Sequence, residues 1–184
     1  MTNSGRSSVS KKLPSREQAL KLLKENHCPS KVVLHCKAVA YLAVKTAKAC
    51  QRKGFNVNVD LVEIGALLHD LGRSKTHSVD HVIAGVELAK TAKLPDSVIN
   101  IIKSHIGGGI TKEEADKLGW PKGNYMPITL EEKIVSYADK LVETSNCIVP
   151  IEITIKKLNE ENLEAVADRV RKIHDEVSQI VESP

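Results

Sequence analysis

Aromatic residues are scarce: one Phe, one Trp and three Tyr in 184 residues. A core of the size this length allows must therefore be aliphatic, and Leu, Ile, Val and Ala at helical spacing supply it. The same scarcity offers little for base stacking, which counts against a general nucleic-acid binder. No C-x-x-C pair occurs among Cys28, Cys36, Cys50 and Cys147. No apolar run approaches the ~18 residues of a membrane span, and no hydrophobic leader opens the chain. The expectation is a cytoplasmic protein with reduced thiols and no membrane contact. Walker loop, G-x-S-x-G elbow and Rossmann glycine pattern are all missing.

Charge of one sign is also thin once it is located. The formal net charge is +4. Three of those positive charges are Arg6, Lys11 and Lys12, in an opening stretch of residues 1–14 that holds no acid. That stretch is polar and Ser-rich, and is expected to be a disordered basic tail. The rest of the chain is nearly neutral, so nucleic acid is not an expected partner.

What is present reads as helices. Ser15 caps a short helix through about Asn26, and Pro29-Ser30 begins a long one that stops at Gly54. In the long helix Val32, His35, Val39, Leu42 and Thr46 recur at steps of three and four, so His35 lies in the buried stripe. Asp60 is the expected cap of the next helix, with Gly72 its stop and His69-Asp70 in its last turn. Asp80 is the expected cap of a helix through about Lys93. Pro95 opens another that carries His105 and ends at Gly107-Gly108-Gly109. Thr111 with Glu114 and Thr129 with Glu132 are capping-box pairs, and the second opens a helix through about Glu143 that carries Asp139. Residues 147–155 are a weak strand candidate. A final helix is expected from about Asn159, with Leu163, Val166, Val170, Ile173, Val177 and Ile180 in one stripe. That stripe suits packing within the chain or a dimer seam. The fold class is all-α, a compact helical bundle.

His35, His69, Asp70, His81, His105 and Asp139 come from different predicted helices, apart from the adjacent pair. A bundle can bring such side chains to one internal point. Mixed imidazole and carboxylate donors suit Mn, Fe, Co, Ni or Zn, and Mg at carboxylate and water positions. Each residue alone has a plainer reading, as a core histidine or a solvated carboxylate. His174-Asp175 is a second His-Asp pair, in a charged and presumptively exposed stretch.

The segments LHCKAVAYLAVKTA, GALLHDLGRSKT and SYADKLVE resemble the H…HD…D signature of the HD phosphohydrolase superfamily. The resemblance implies divalent-metal binding by His35, His69, Asp70 and Asp139. HSVDHVIAGVELAK and IIKSHIGGG resemble two further helices of dinuclear members, which implies a second ion on His81 and His105 with Asp70 bridging. His77 is the rival to His81, which Gly85 four residues on favours by clearing space. Two departures stand out: Ser104-His105 replaces a His-His pair common in relatives, and no GYP-type motif follows the doublet. Residues 15–145 would form the HD domain, and 146–184 a C-terminal helical extension packed on it.

The implied activity is divalent-metal-dependent hydrolysis of a nucleotide or other small phosphate ester or anhydride, with one or two ions per chain. The alternative is a metal- and nucleotide-binding regulatory module without turnover. Catalytic roles would fall on Asp70, on Asp139 as a group that orients or deprotonates water, and on Arg73 as a bidentate phosphate clamp. Residues 107–128 would form a lid or wall, in which Trp120, Tyr125 and Met126 either face substrate or anchor the loop to the helices, anchoring being the preferred role for Trp120. A monomer or a homodimer is expected.

Overall fold

In a computed structural model, residues 11–144 and 147–182 are described. The chain winds through α1 (Arg16–Glu25), α2 (Ser30–Arg52), α3 (Val59–Leu68), α4 (His81–Thr91), α5 (Asp96–Ser104), α6 (Lys112–Lys117) and α7 (Leu130–Leu141). A small antiparallel pair follows, β1 (Val142–Thr144) with β2 (Cys147–Ile148), and then α8 (Ile151–Glu160) and α9 (Glu164–Glu182). The fold is all-α, as the periodicity implies. The main core is built on aliphatic side chains: Val39, Leu67, Leu68, Ile101, Ile102 and Ile134 are among its fully buried members. No described helix is long and apolar enough to cross a membrane.

Local signals are obeyed where their partners are local. Ser15 forms a full capping box with Gln18, and Thr111 forms one with Glu114. Thr129 caps the Glu132 amide, but the Glu132 carboxylate accepts from Ile128 N instead of closing the box. Residues 1–10 of the expected tail lie outside the described residues. Leu13, also assigned to that tail, packs against the core, and Lys11 donates to the Leu94 carbonyl.

Several expectations fail, the first through a local competitor and the others for non-local reasons. Asn58 caps α3 in place of Asp60, its side chain accepting from Leu61 N. Asp80 makes no cap bond, because its carboxylate accepts the Trp120 indole N–H at 2.8 Å. Of the weak strand candidate, Cys147–Ile148 is strand β2, but the chain is helical from Ile151, and α8 packs on α9 with Ile151 buried at its start. Tertiary contact overrides strand propensity there.

The trace between α3 and α4 sets the site. The helix ends at Leu68, and a 3-10 turn, Leu71–Ser74, lies against α4. A Cβ on Gly72 would run into the His81 carbonyl oxygen and Gly85 N, so only glycine permits this approach. Gly72 is a contact glycine and not the helix stop the sequence suggests. Gly85 likewise receives Gly72 and Ile102, with Ile102 Cγ2 3.0 Å from where its Cβ would be.

Candidate metal centre

All six expected ligand residues converge. His35 projects from the second turn of α2 and Asp139 from the last turn of α7. His69 and His105 follow the last residues of α3 and α5, and His81 is the first residue of α4. Asp70 lies between α3 and the 3-10 turn, at the centre. Its Oδ1 is 3.2 Å from His81 Nε2 and 3.5 Å from His105 Nε2, and its Oδ2 is 3.7 Å from His69 Nε2. Asp139 Oδ1 is 3.0 Å from His35 Nε2 and 3.4 Å from His69 Nε2. Two overlapping triads result: His35, His69 and Asp70, then Asp70, His81 and His105, with donor atoms in each triad all within 4.8 Å of one another. His77, the rival to His81, is exposed outside the cluster.

The three buried imidazoles share one anchoring device. His69 Nδ1 donates to Ala66 O, His81 Nδ1 to Ser78 O and His105 Nδ1 to Ile102 O, at 2.7, 2.7 and 2.8 Å. A carbonyl only accepts, so the proton must sit on Nδ1 and each neutral ring presents its Nε2 lone pair to the centre. His81 Nε2 and His105 Nε2 are 3.2 Å apart, and two such lone pairs cannot satisfy each other. Ser136 Oγ donates to the His105 carbonyl, tying α5 to α7 at the same point.

The electrostatics point the same way. Burial opposes ionisation of Asp70, but the imidazoles of His69, His105 and His81 packed around it hold its carboxyl far below the usual range. Burial opposes ionisation of Asp139 too, and Lys140 (2.9 Å from Oδ2), His35 and His69 overcome it. Burial pushes His105 down to about 4. Burial also disfavours a charged His69, yet Asp70 and Asp139 outweigh it and the net direction is up. The set is thus two ionised carboxylates among imidazoles, a donor chemistry that fits a divalent cation. His69 Nε2 and Asp70 Oδ1 are buried without a hydrogen-bond partner, the kind of vacancy an ion would satisfy.

Arg73 is committed inside this network. Its Nε donates to Asp70 Oδ2 at 2.7 Å and its Nη1 to the His77 carbonyl at 3.2 Å. Sequence reasoning treats it as a phosphate clamp and misses this contact, although the three-residue separation was a usable signal. Residues 107–128 are anchored. Trp120 is 7% exposed and Tyr125 is also buried, both packed with Val82, Ile110 and Ala115. Tyr125 OH donates to Pro121 O, and Ile110 and Tyr125 pair as a bridge. Of the two roles open to them, Trp120 and Tyr125 therefore take the anchoring one and bind the loop to the bundle. Gly108 has φ 70° and receives the α9 backbone at Arg169 and Val170, so its run serves a turn and a close contact.

The HD domain family matches residues 32–143. An uncharacterized protein of Methanocaldococcus jannaschii is 43% identical over 165 residues, covering 90% of this chain and 92% of that protein. A tRNA (cytidine(56)-2'-O)-methyltransferase of Picrophilus torridus is 40% identical over 172 residues. That match covers 92% of this chain, which spans only 48% of the methyltransferase. Among solved structures, the HD domain of the L. monocytogenes phosphodiesterase PgpH superposes with a TM-score of 0.56 at 20% identity, over 89% of this chain and 95% of that domain. The same domain in complex with cyclic-di-AMP gives 0.54 at 19% identity, over 91% and 98%.

Proposed function

This chain belongs to the HD domain family, and on that premise we propose that it is a divalent-metal-dependent phosphohydrolase acting on a nucleotide phosphate. The observation that carries the reading is the pair of buried, unpartnered atoms, His69 Nε2 and Asp70 Oδ1, at the meeting point of three backbone-anchored imidazoles. His35, His69, Asp70 and Asp139 would hold one ion, and Asp70, His81 and His105 a second. A divalent ion bound there neutralises charge on phosphoryl oxygens and acidifies water.

The chain's own groups divide the remaining work. Asp70 has two oxygens and faces both triads, so it is the residue able to serve two ions. Arg73 fixes the plane of that carboxylate and is a positioning residue for it. Lys140 holds Asp139 ionised, which suits a ligand and a group that orients water more than one that carries a proton. The nucleotide part of the reading draws on the related fold that binds cyclic-di-AMP. The methyltransferase relative, whose name specifies tRNA, favours polynucleotide chemistry in the same direction.

The test is metal analysis of protein purified without chelator, followed by hydrolysis of a generic phosphodiester under several divalent ions. Wild type should carry metal and turn the ester over. Asp70→Ala should stay helical by circular dichroism and lose metal and more than about 100-fold in turnover, beyond what an outer-sphere change costs. A folded Asp70→Ala protein with undiminished metal would falsify the site.

A further inference from the structure

Near-neutrality of the folded part hides an uneven distribution. Helix α2 has five cations, Lys31, Lys37, Lys45, Lys48 and Arg52, and no acid. All five are exposed, and none forms an ion pair among the described residues. At 100° per residue they fall on one side of the helix, over a length of about 30 Å. Tyr41 lies in the middle of that side and is 71% exposed, the most exposed of the large apolar side chains. On other elements Lys112, Lys133, Lys140, Lys156 and Lys157 are each paired with an acid, while the cations of α2 form an acid-free row on one helix.

The stripe runs beside the open end of the metal centre. His35 is on the same helix, one turn beyond Lys31 and beside the edge of the stripe. Its side chain is 21% exposed, whereas His69, His81 and His105 are buried. A polyanion lying along α2 would therefore pass the most accessible imidazole of the cluster.

We infer that the exposed face of α2 is a docking track for a single-stranded polynucleotide. Its backbone phosphates would contact the five cations and one base would stack on Tyr41. Charge complementarity selects the phosphate chain, and a lone exposed aromatic within a cationic row selects unpaired bases over a duplex. This deepens the phosphohydrolase reading and rests on it only for the step after docking. The expectation from composition, that nucleic acid is not a partner, rested on summed charge and on the scarcity of aromatics, totals that average away a face with five cations and one exposed tyrosine.

The experiment measures fluorescence anisotropy of a labelled single-stranded RNA of about 15 nucleotides, a length within the range such grooves cover. Wild-type protein should bind it with a log–log salt slope of about −3, as four or five neutralised phosphates give for a single strand. Lys37→Glu with Lys45→Glu and Lys48→Glu should weaken binding by about 100-fold while circular dichroism stays unchanged. Tyr41→Ala should weaken it by about tenfold. Reversal of Lys112, Lys117 and Lys122, away from α2, should change affinity by no more than about twofold. The inference is overturned if wild type does not bind at low salt, if the α2 reversal binds as wild type does, or if the distant reversal costs as much. Tighter binding of a duplex of equal length overturns it too. Wild-type turnover of the small phosphodiester is scored separately. Its failure with stripe-dependent RNA binding intact defeats the hydrolase reading alone, and the converse defeats the track alone.

Discussion

Asp70, His81 and His105 form the closed end of the cluster, while His35 and Asp139 form its open end, with His69 between them. At the closed end every side chain is buried, and both imidazoles are held by backbone carbonyls three residues upstream. At the open end His35 reaches solvent, and its contact is to a side chain, Asp139, that is itself steadied by the charge of Lys140. Rings fixed by backbone cannot reorient without unfolding a helix end, whereas a ring held by a side chain can. The closed end is therefore built for geometry and the open end for access.

The largest effects should come from breaking each end in turn. Under the proposed dinuclear reading, His81→Ala should lower saturating metal content from about two ions per chain to about one. His35→Ala should do the same at the other end. The two should differ in stability. His81→Ala leaves a void in a packed interior, costing about 2–4 kcal/mol in denaturant unfolding of the metal-free protein. His35→Ala, at the surface, should cost about 1 kcal/mol or less. Equal losses would erase the distinction between the ends.

Gly72→Ala sharpens the comparison from the backbone side. The added methyl meets the His81 carbonyl and the Gly85 amide, so α4 must move and take His81 with it. A cost of about 1–3 kcal/mol is expected, with loss of the second ion before the first. Wild-type metal content and melting temperature in Gly72→Ala would show that the close approach is dispensable.

A smaller effect concerns protonation of the metal-free protein. His105 is held down to about 4, so between its ordinary value near 6.5 and that point the unfolded chain binds the extra proton. Its contribution to stability is complete above about 6.5 and is lost as pH falls towards 4. His69 is shifted the other way. Its contribution is present below about 6.5 and is lost as pH rises through its folded value. Imidazole proton shifts followed by NMR should show His69 protonated at a pH where His105 is neutral, and identical titrations would refute that arrangement.

The smallest effect is expected at the other His-Asp pair. His174 sits on α9 near the Tyr137 ring and Ser178, and Asp175 is exposed. His174→Ala should leave metal content unchanged and alter stability by no more than about 0.5 kcal/mol.

The contrast between the two His-Asp pairs shows what was legible in the chain. Nothing in the dipeptide distinguishes them. Hydrophobic context did, since GALLHDLG ends an apolar helix and RKIHDEVS lies on an amphipathic one. The choice of His81 over His77 was also available from sequence, although the reason was not the supposed one. Gly85 makes room for the Gly72 turn and Ile102, not for the imidazole.

Capping by Ser15, Thr111 and Thr129, the aliphatic stripes, the stop at Gly54 and the all-α class were fixed by the sequence alone, because each depends on residues a few positions apart. Such interactions carry their own geometry wherever the helix forms. The tertiary structure alone decided that Asp80 serves Trp120 rather than a helix end, that Trp120 and Tyr125 tie down a loop, and that the β-branched segment from Ile151 is helical. It also decided that Arg73 turns inward to Asp70, a pairing that the three-residue separation allowed without excluding an outward clamp. In each case the competing partner is an indole, a helix face or a buried carboxylate whose position is set by packing, and burial raises the cost of leaving a polar group or an apolar face unmatched above any local preference.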